Sequence, residues 1–210
     1  MKGKYYVIEG QDGTGKSTQA ELLADFFRTR NKPVITIHEP DGDLPSAQAL
    51  RTIIKDKQYD LNPYTHVLLF TAARNELWHK LAEPCLKSGG VVISARNWWS
   101  TLAYQGYGQG VNIRFINSIT TKCLPPRYFH PDHCVILTLS EQERTKRLQM
   151  RDDNSSKDTF ESKPDAFQKT VTDSYLTIAT EKHITTLDAS PSETELHQQI
   201  LSLFNLYPQA

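Results

Sequence analysis

The sequence predicts an α/β fold in which helices cover both faces of a parallel β-sheet. Short apolar runs, many of their residues β-branched, alternate along the chain with longer segments of helical periodicity. The short runs are apolar throughout, whereas a strand with one solvent-exposed face alternates between apolar and polar residues. Continuous apolar strands separated by helices indicate a parallel sheet that is buried on both sides.

Each predicted element follows from its local pattern. The strands are predicted at residues 4–9, 33–38, 91–94, 134–139 and 183–189, and the helices at residues 17–30, 64–90, 141–151, 165–182 and 192–204. Gly89 and Gly90 end the second helix, and Ser192 followed by Glu195 is a capping-box pattern at the start of the last one. We therefore expect a doubly wound parallel sheet of five strands, flanked by helices, in one domain that spans residues 1–210.

Residues 152–164, with the sequence DDNSSKDTFESKP, form a polar break between two predicted helices. A connection of this length without secondary structure is uncommon in a compact domain, and such loops are often functional. We interpret the stretch as a mobile lid over a binding site. The alternative, a solvated loop that only crosses the surface, stays open at this point.

Charge and hydropathy argue against several classes of function. Lys and Arg total 24 and Asp and Glu total 24, so the net charge is zero and we expect no nucleic-acid or membrane partner. The first residues lack the apolar core of a signal peptide, and no apolar run reaches the length of a membrane span. The three cysteines, Cys85, Cys123 and Cys134, lack metal-ligand spacing. We expect them to be buried or half-buried free thiols in a cytoplasmic protein.

The stretch GQDGTGKST at residues 10–18 lies between the first predicted strand and the first predicted helix. It matches the P-loop pattern G-x-x-x-x-G-K-[ST], in which glycines allow backbone N–H groups to face a phosphate chain. Lys16 would neutralise the β- and γ-phosphates, and the Ser17 hydroxyl would ligate Mg²⁺. The fold is therefore predicted to be of the P-loop NTPase type. The predicted ATP-binding residues are Gly10, Gln11, Asp12, Gly13, Thr14, Gly15, Lys16, Ser17 and Thr18.

Several separated motifs, taken in order, resemble the thymidylate kinase family. They are YYVIEGQDGTGKSTQAELL at the start, HEPDGD (38–43), LLFTAARNEL (68–77), ARNWWSTLAYQGYGQG (95–110), DTFE (158–161), FQKTVTDSY (167–175) and LDAS (187–190). The resemblance covers essentially the whole chain. It implies transfer of the γ-phosphate of ATP to thymidine 5′-monophosphate (dTMP), which gives the diphosphate (dTDP). It also implies Mg²⁺ as the metal ion and a homodimer, to which the long predicted helix could contribute.

The resemblance implies individual roles at the acceptor site. Phe70 would stack on the thymine ring, and Arg74, one turn later on the same helix face, would reach the base carbonyl or the acceptor phosphate. Arg96 would bind that phosphate and act as a catalytic residue together with Lys16. The other implied contacts are Asp12 to the 3′-hydroxyl, Glu39 near the magnesium and the acceptor phosphate, Ser100 to the base edge, Tyr104 to the sugar against a 2′-hydroxyl, and Gln105 to the base.

One departure from the family pattern concerns the metal. Ala95 ends the third predicted strand in ARN, where the family usually has an aspartate that supports the metal. Mg²⁺ takes few protein carboxylates and keeps much of its water shell. We therefore expect weaker metal binding and slower turnover rather than abolished chemistry, with Ser17 as the remaining protein ligand and Asp12 or Glu39 nearby.

The second departure concerns catalytic positive charge. Thr159 stands in DTFE, where the family commonly has an arginine, and positions 11–14 of the loop hold no basic residue. Phosphoryl transfer needs positive charge on the moving group. We predict that Arg151, just ahead of the lid, supplies it as a catalytic residue, with Lys157 as the second choice. Arg147 and Lys163 are the other candidates.

Two alternatives to a thymidylate kinase stay open. The first is a kinase of another nucleoside or pyrimidine monophosphate, since Arg74 and Arg96 favour a phosphorylated acceptor without naming its base. The second is a nucleotide-binding protein that binds ATP without efficient transfer, which Ala95 and Thr159 support. Product formation separates the second alternative from a kinase, and a comparison of acceptors separates the first.

Overall fold

A computed structural model of the protein describes residues 3–150 and 159–207. Its centre is a sheet of five strands in the order β2-β3-β1-β4-β5, and each neighbouring pair is parallel. The strands are β1 (Lys4–Gly10), β2 (Val34–His38), β3 (Val91–Ala95), β4 (His133–Thr138) and β5 (Thr185–Asp188). The prediction of a five-stranded parallel sheet is confirmed.

Helices connect the strands. In chain order those described are α1 (Lys16–Arg28), α2 (Pro45–Lys55), α3 (Pro63–Leu77), α4 (Glu83–Lys87), α5 (Trp98–Thr101), α6 (Ile113–Cys123), α7 (Pro126–Phe129), α8 (Glu141–Met150), α9 (Asp165–Lys182) and α10 (Glu193–Leu203). Two π-helical segments, Trp78–Ala82 and Leu102–Gly108, extend α3 into α4 and continue α5. The five predicted helices are present, the second of them as α3, its π-helical turn and α4. The sequence-based prediction does not include α2 or the helices from α5 to α7.

Alternate residues of β1 divide the interior into two cores. Tyr5 and Val7 pack on one face of the sheet, in a cluster with residues of α3, α5 and α9. Tyr6 and Ile8 pack on the other face, in a cluster with residues of α1 and α10. This period of two, with both faces apolar, is what a strand covered on both sides requires.

The predictions for the start of α10 and for the cysteines are borne out. Ser192 and Glu195 form the capping box at the start of α10, each side chain accepting from the other residue's backbone N–H. The three cysteines are free thiols of intermediate exposure. Among the helices of the described residues, none is long and apolar enough to cross a membrane.

Candidate active site

The carboxyl ends of β1, β2 and β3 open onto a cleft with a volume of about 1180 Å³. Residues 12–19 line it after β1, residues 38–43 after β2, Ala95 and Arg96 after β3, and residues 189–193 after β5. Ligands of open α/β sheets bind at this edge, where crevices form outside the ends of the strands. The cleft therefore lies where the sequence analysis expects the ligands.

The phosphate loop, residues 10–18, joins β1 directly to α1. Gly10 has a φ of +140°, and a Cβ there would lie 2.4 Å from the carbonyl oxygen of Leu137 in β4, so a larger residue would displace that strand. Gly15, with a φ of +85°, is the N-cap of α1. Asp12 and the residues that follow it to Thr18 line the cleft. The unpaired N–H groups and the partial positive charge of a helix N-terminus favour an anion at this position.

Lys16 is buried and faces this cleft. Its ammonium group donates to the carbonyl oxygen of Gln11 at 2.8 Å, and the Thr14 hydroxyl donates to the same oxygen at 2.9 Å. Gly10 and Gln11, both predicted to bind ATP, are not among the described residues that line the cleft. The Gln11 side chain turns away and bonds to Gln168. The Gln11 side-chain amide is therefore directed away from the cleft, because buried partners take its hydrogen-bonding groups.

Arg96 stands directly after β3 and reaches across the sheet edge to the phosphate loop. Its guanidinium forms an ion pair with Asp12 and donates to the Ser100 hydroxyl at 3.0 Å. Its φ of +83° is left-handed, a conformation that costs energy in a residue other than glycine and often marks a functional position. Burial lowers the pKa of Arg96, but the Asp12 carboxylate and other neighbouring groups outweigh it and raise the pKa above its ordinary value. The side chain is thus held as a fixed cation at the cleft.

Arg74, on α3, is buried and uses each of its guanidinium nitrogens. Nε donates to Glu39 at 2.7 Å, Nη1 to the Thr101 hydroxyl at 2.6 Å and Nη2 to the carbonyl oxygen of Asn97 at 3.1 Å. Burial raises the pKa of the Glu39 carboxyl, although the charge of Arg74 opposes this. Both side chains line the cleft. The structure therefore brings together Glu39 and Arg74, two of the predicted acceptor residues, although they lie far apart in the sequence.

Glu9, which the sequence analysis does not single out, holds the cleft residues in place. Its fully buried carboxylate accepts from the backbone N–H of Asn97 at 2.6 Å, from the Ser100 hydroxyl at 2.9 Å and from the Tyr175 hydroxyl at 3.1 Å. Charge-assisted bonds of this kind are strong in a buried setting. Ser100, predicted to contact a base edge, lines the cleft, but its hydroxyl donates to Glu9 and accepts from Arg96. A charged residue inside a buried strand is the sequence signal that could have identified Glu9.

Aromatic rings form one wall of the cleft. Phe70 lies on α3, one turn before Arg74. The centroid of its ring is 6.0 Å from that of Phe160 and 5.4 Å from Cζ of the Arg74 guanidinium. Tyr104 packs edge-on against Phe160 at 5.8 Å and donates its hydroxyl to Asp12 at 2.8 Å. Gln105 lines the same wall. Phe160 belongs to the residues from 159 to 164, which we call the Phe160 turn. A flat apolar wall with polar groups at its edge suits a nucleobase.

The structure describes two of the four candidates for catalytic positive charge and places one of them at the cleft. Arg147 lines the cleft, where its guanidinium donates to the carbonyl oxygen of Ala189 at 2.9 Å. Lys163 lines a separate hollow of about 280 Å³. The predictions for Arg151 and Lys157 fall outside the described residues. Thr159 donates its hydroxyl to the carbonyl oxygen of Lys55 at 2.9 Å and so ties the Phe160 turn to the end of α2.

Arg51, on α2, is a cleft residue that the sequence analysis does not identify. Its guanidinium pairs with Asp41 at 3.2 Å, and both residues line the cleft. The signal for α2 is present in the sequence, because Pro45 suits the first position of a helix and Ala47, Leu50 and Ile54 follow at helical spacing. A helix predicted there would have placed Arg51 beside the HEPDGD motif.

The chemistry of the donor groups decides how a divalent metal would fit. Ser17 is exposed at the start of α1 and lines the cleft, so its hydroxyl is accessible as an oxygen ligand. The carboxylates of Asp12 and Glu39 bond to arginines and tyrosines. Within residues 3–150 and 159–207, no three His, Cys, Asp or Glu side chains form a group that could hold a metal ion. The residues present therefore fit a metal held mainly by Ser17 and by the ligand's own phosphates.

This arrangement defines a class of protein. A P-loop between a central strand and a helix binds the phosphates of a nucleoside triphosphate. The same cleft contains Arg74, Arg96 and an aromatic wall, which suit a second, phosphorylated ligand with a flat ring. The protein is a P-loop phosphotransferase.

Comparison with known proteins identifies the family. The family model described as "Thymidylate kinase" matches residues 8–200. The thymidylate kinase of Chlorobium chlorochromatii is 32% identical over 93% of this chain and 91% of its own length, and that of Dichelobacter nodosus is 33% identical over 95% and 96%. A crystal structure of thymidylate kinase from Ehrlichia chaffeensis shares the fold with a TM-score of 0.76, at 24% identity over 96% of this chain and 98% of that one. The chain belongs to the thymidylate kinase family.

Proposed function

We propose that the protein transfers the γ-phosphate of ATP to dTMP, with dTDP and ADP as products. Membership in the thymidylate kinase family supports this reaction. The observation that carries the proposal is that one cleft is shared by a P-loop, by Arg74 and Arg96, and by an aromatic wall. A phosphate oxygen of dTMP attacks the γ-phosphorus of ATP, and the bond to the β-phosphate oxygen breaks, so the reaction depends mainly on positioning and on positive charge.

On the donor side we assign the triphosphate to the phosphate loop. Lys16, whose ammonium already faces the cleft, would move its donors from the Gln11 carbonyl to the β- and γ-phosphates. Arg147 and residues 189–193 also line the cleft, and Gln19 of α1 donates to the carbonyl oxygen of Glu193 at 2.9 Å, so these residues would lie near the nucleoside. Arg151 remains our assignment for the charge on the moving phosphoryl group, since Arg147 is engaged with Ala189 and Glu143.

On the acceptor side we assign the base to the wall formed by Phe70, Tyr104 and Gln105. Arg96 would bind the acceptor phosphate, because its position beside Asp12 sets it between the phosphate loop and the aromatic wall. Arg74, held by Glu39, would bind the base carbonyl or the same phosphate. Ser100 would act mainly through Arg96, to whose guanidinium its hydroxyl is bonded.

We assign Mg²⁺ to Ser17, in complex with the triphosphate of ATP. The exposed Ser17 hydroxyl is the accessible protein oxygen, and Ala95 contributes none. When bound, the ion would neutralise phosphate charge and orient the triphosphate. We expect the protein's affinity for the ion to be low, because Asp12 and Glu39 are both engaged with arginine.

We further propose a cytoplasmic homodimer in which each chain forms one kinase domain with a lid near residues 152–164. Tyr64 and Leu68 on α3 are both more than 40% exposed, and Tyr64 stacks edge-on against Phe115 of α6 at 5.0 Å. Exposed apolar residues on neighbouring helices suit a contact between copies of the chain. Equilibrium sedimentation of the wild-type protein and of Leu68→Glu tests the dimer.

The test of the reaction is an assay of dTDP formation with ATP, Mg²⁺ and dTMP. We expect wild-type protein to form dTDP, Lys16→Ala protein to form none, and Lys32→Ala, which changes an exposed lysine, to behave as wild type. Thymidine and other pyrimidine monophosphates in place of dTMP test the acceptor. Tight ATP binding without any product would contradict the proposal and favour the second candidate, a nucleotide-binding protein, for which Ala95 at the cleft is the supporting observation.

A further inference from the structure

We propose that Gln11 and Gln168 are positioning residues that link the phosphate loop to the Phe160 turn, so that binding of ATP and of dTMP is coupled. We call the two side chains the Gln11–Gln168 bridge. The inference rests on the proposed function for its acceptor site and goes beyond it, because it gives a role to two side chains that bond to each other and that are not assigned to a substrate.

The bridge begins at the phosphate loop. The Gln11 side chain is buried, and its Nε2 donates to Oε1 of Gln168 at 2.9 Å and to the carbonyl oxygen of Gln168 at 3.1 Å. Its Oε1 accepts from the Thr172 hydroxyl at 2.6 Å. The backbone carbonyl of the same residue is the acceptor for Lys16. One residue therefore contacts both the lysine that faces the nucleotide and the first turns of α9.

The bridge ends at the turn that carries Phe160. Nε2 of Gln168 donates to the carbonyl oxygen of Phe160 at 2.8 Å and lies 3.5 Å from that of Lys163. Both partners are carbonyls, which can only accept, so the amide nitrogen must face the turn and the amide oxygen must face Gln11. The orientation of the buried amide is thus fixed, and each of its groups has a partner. A buried polar network that is fully satisfied holds its members in one geometry.

The position of the Phe160 turn determines the shape of the acceptor pocket. The Phe160 ring is 6% exposed, lines the cleft and contacts Phe70, Tyr104 and His66 at centroid distances of 6.0, 5.8 and 5.1 Å. Phe70 and Tyr104 are the proposed contacts of the base and the sugar. A shift of the Phe160 backbone would move this ring against both.

The expected consequence is a mutual effect of the two substrates. When Lys16 turns from the Gln11 carbonyl to a phosphate, the bonds of Gln11 readjust, and the bridge transmits this to Phe160. Coupling between two ligands is reciprocal, and values of about 5-fold or more are common. We expect dTMP to bind about 5-fold more tightly to protein that is saturated with an ATP analogue.

Titration calorimetry of dTMP, with and without a saturating non-hydrolysable ATP analogue, tests the bridge. In Gln168→Leu we expect the ratio of the two dTMP affinities to fall to about one, with unchanged affinity for the analogue. In Gln168→His we expect the ratio to be retained, since one ring nitrogen can accept from Gln11 while the other donates to Phe160. Lys169→Leu, a neighbouring exposed position on α9, is the matched control and should keep the wild-type ratio.

A second variant keeps the test decisive if Gln168→Leu does not fold. Gln11→Met removes the other half of the bridge at similar length and should also bring the ratio of the two dTMP affinities to about one. The double variant Gln11→Met/Gln168→Leu should show the same ratio as either single variant. If these variants keep the wild-type ratio, or if Lys169→Leu lowers the ratio as much as they do, the proposed role of the bridge is wrong. If wild-type protein binds dTMP equally well with and without the ATP analogue, the proposed role of the bridge is wrong but the proposed function stands. Wild-type protein that does not bind dTMP overturns the proposed function itself.

Discussion

The guanidinium of Arg74 and the carboxylate of Glu39 form a buried ion pair in which Nε and Oε2 are 2.7 Å apart and the side chains are 2% and 4% exposed. One comes from α3 and the other from the residue after β2. The Tyr128 hydroxyl donates to the same carboxylate at 2.9 Å, so the charges are also hydrogen-bonded to neutral groups. The attraction within a buried ion pair offsets the cost of removing both charges from water only when the remaining groups are hydrogen-bonded in this way.

Arg74→Lys should damage this arrangement although the charge is kept. The three nitrogens of the planar guanidinium donate to Glu39, Thr101 and Asn97. Lysine has a single ammonium nitrogen and cannot reach all three acceptors at once. We expect kcat/KM for dTMP to fall by about 10- to 100-fold and the free energy of unfolding by about 1–3 kcal/mol. Steady-state kinetics and chemical unfolding measure both. Arg28→Lys, in an exposed ion pair with Asp25, is the control and should change stability by less than about 0.5 kcal/mol.

Ala95→Asp should strengthen metal binding. The new carboxylate would face the cleft beside the phosphate loop, and a negative charge there attracts a divalent cation. We expect the Mg²⁺ concentration for half-maximal activity to fall by roughly tenfold, which is about 1.4 kcal/mol, and kcat to rise. Ala95→Asn has the same size without the charge and should leave the metal requirement unchanged. Equal effects of the two variants would show that charge at this position does not act on the metal.

Arg151→Gln should reduce the rate of transfer far more than substrate binding. We expect kcat to fall by about 10³-fold with little change in KM for dTMP, because an arginine on the moving phosphoryl group acts mainly in the transition state. Arg147→Gln is the matched comparison and should cost much less, since Arg147 bonds to Ala189 and Glu143 in the described structure. The reverse order of effects would assign the catalytic charge to Arg147.

Tyr104→Ala should weaken the discrimination between dTMP and its ribonucleotide counterpart. The Tyr104 ring is fixed between Phe160 at 5.8 Å and the Arg96 guanidinium at 5.5 Å, so it leaves little room at the sugar. We expect the ratio of kcat/KM values for the two acceptors to fall by about tenfold. Tyr104→Phe keeps the ring and loses the hydroxyl, which interacts with Asp12 and Arg96, and it should keep most of the ratio. A similar loss in both variants would assign the discrimination to the hydroxyl instead.

His66 should make the protein less stable as the pH falls. Both ring nitrogens are buried and lack a hydrogen-bond partner within the described chain, and burial, with the charge of Lys163, lowers the pKa of His66. The unfolded chain then binds the proton more readily than the folded one, so this contribution to stability is complete above about pH 6.5 and is lost as the pH falls through the lower folded-state pKa.

Replacement of His66 tests this pH dependence. We expect His66→Leu to match or exceed the wild-type melting temperature at pH 7.5 and to lose less stability at pH 5.5, by about 1 kcal/mol. His130→Gln changes an exposed histidine and is the control. Identical pH profiles for His66→Leu and wild-type protein would show that another group causes the loss in acid.

The elements that the sequence predicts well are those with a strong local pattern. The strands from β1 to β4 are mainly apolar runs, and the phosphate loop carries its own glycine pattern, so neighbours far along the chain are not needed to recognise them. The last strand, β5, is mostly polar and exposed. The π-helical segment Leu102–Gly108, which carries Tyr104 and Gln105, is different, because its surroundings are tertiary: it packs against α9, α5, α3 and α6. No local periodicity predicts such a segment.

The same limit applies to the site. Lys16 and Arg96 can be identified from motifs, and the structure places both at the cleft. The sequence cannot show that the Gln11 side chain turns away from the cleft, since this depends on Gln168, which is distant in the chain. Nor can it show that Glu9 gathers groups from the start of α5 and from α9. Partner choice among buried polar groups is set by the tertiary fold, not by the residue type.

The tryptophans determine what the protein's own fluorescence can report. Trp78, Trp98 and Trp99 are buried in the core on the α3 and α5 side of the sheet, and none of the three is among the described residues that line the cleft. Their emission should therefore respond to unfolding rather than to ligand contact. Since Trp98 directly follows Asn97, whose carbonyl oxygen accepts from Arg74, a spectral change on adding a substrate would signal a rearrangement of α5 and not simple occupancy of the site.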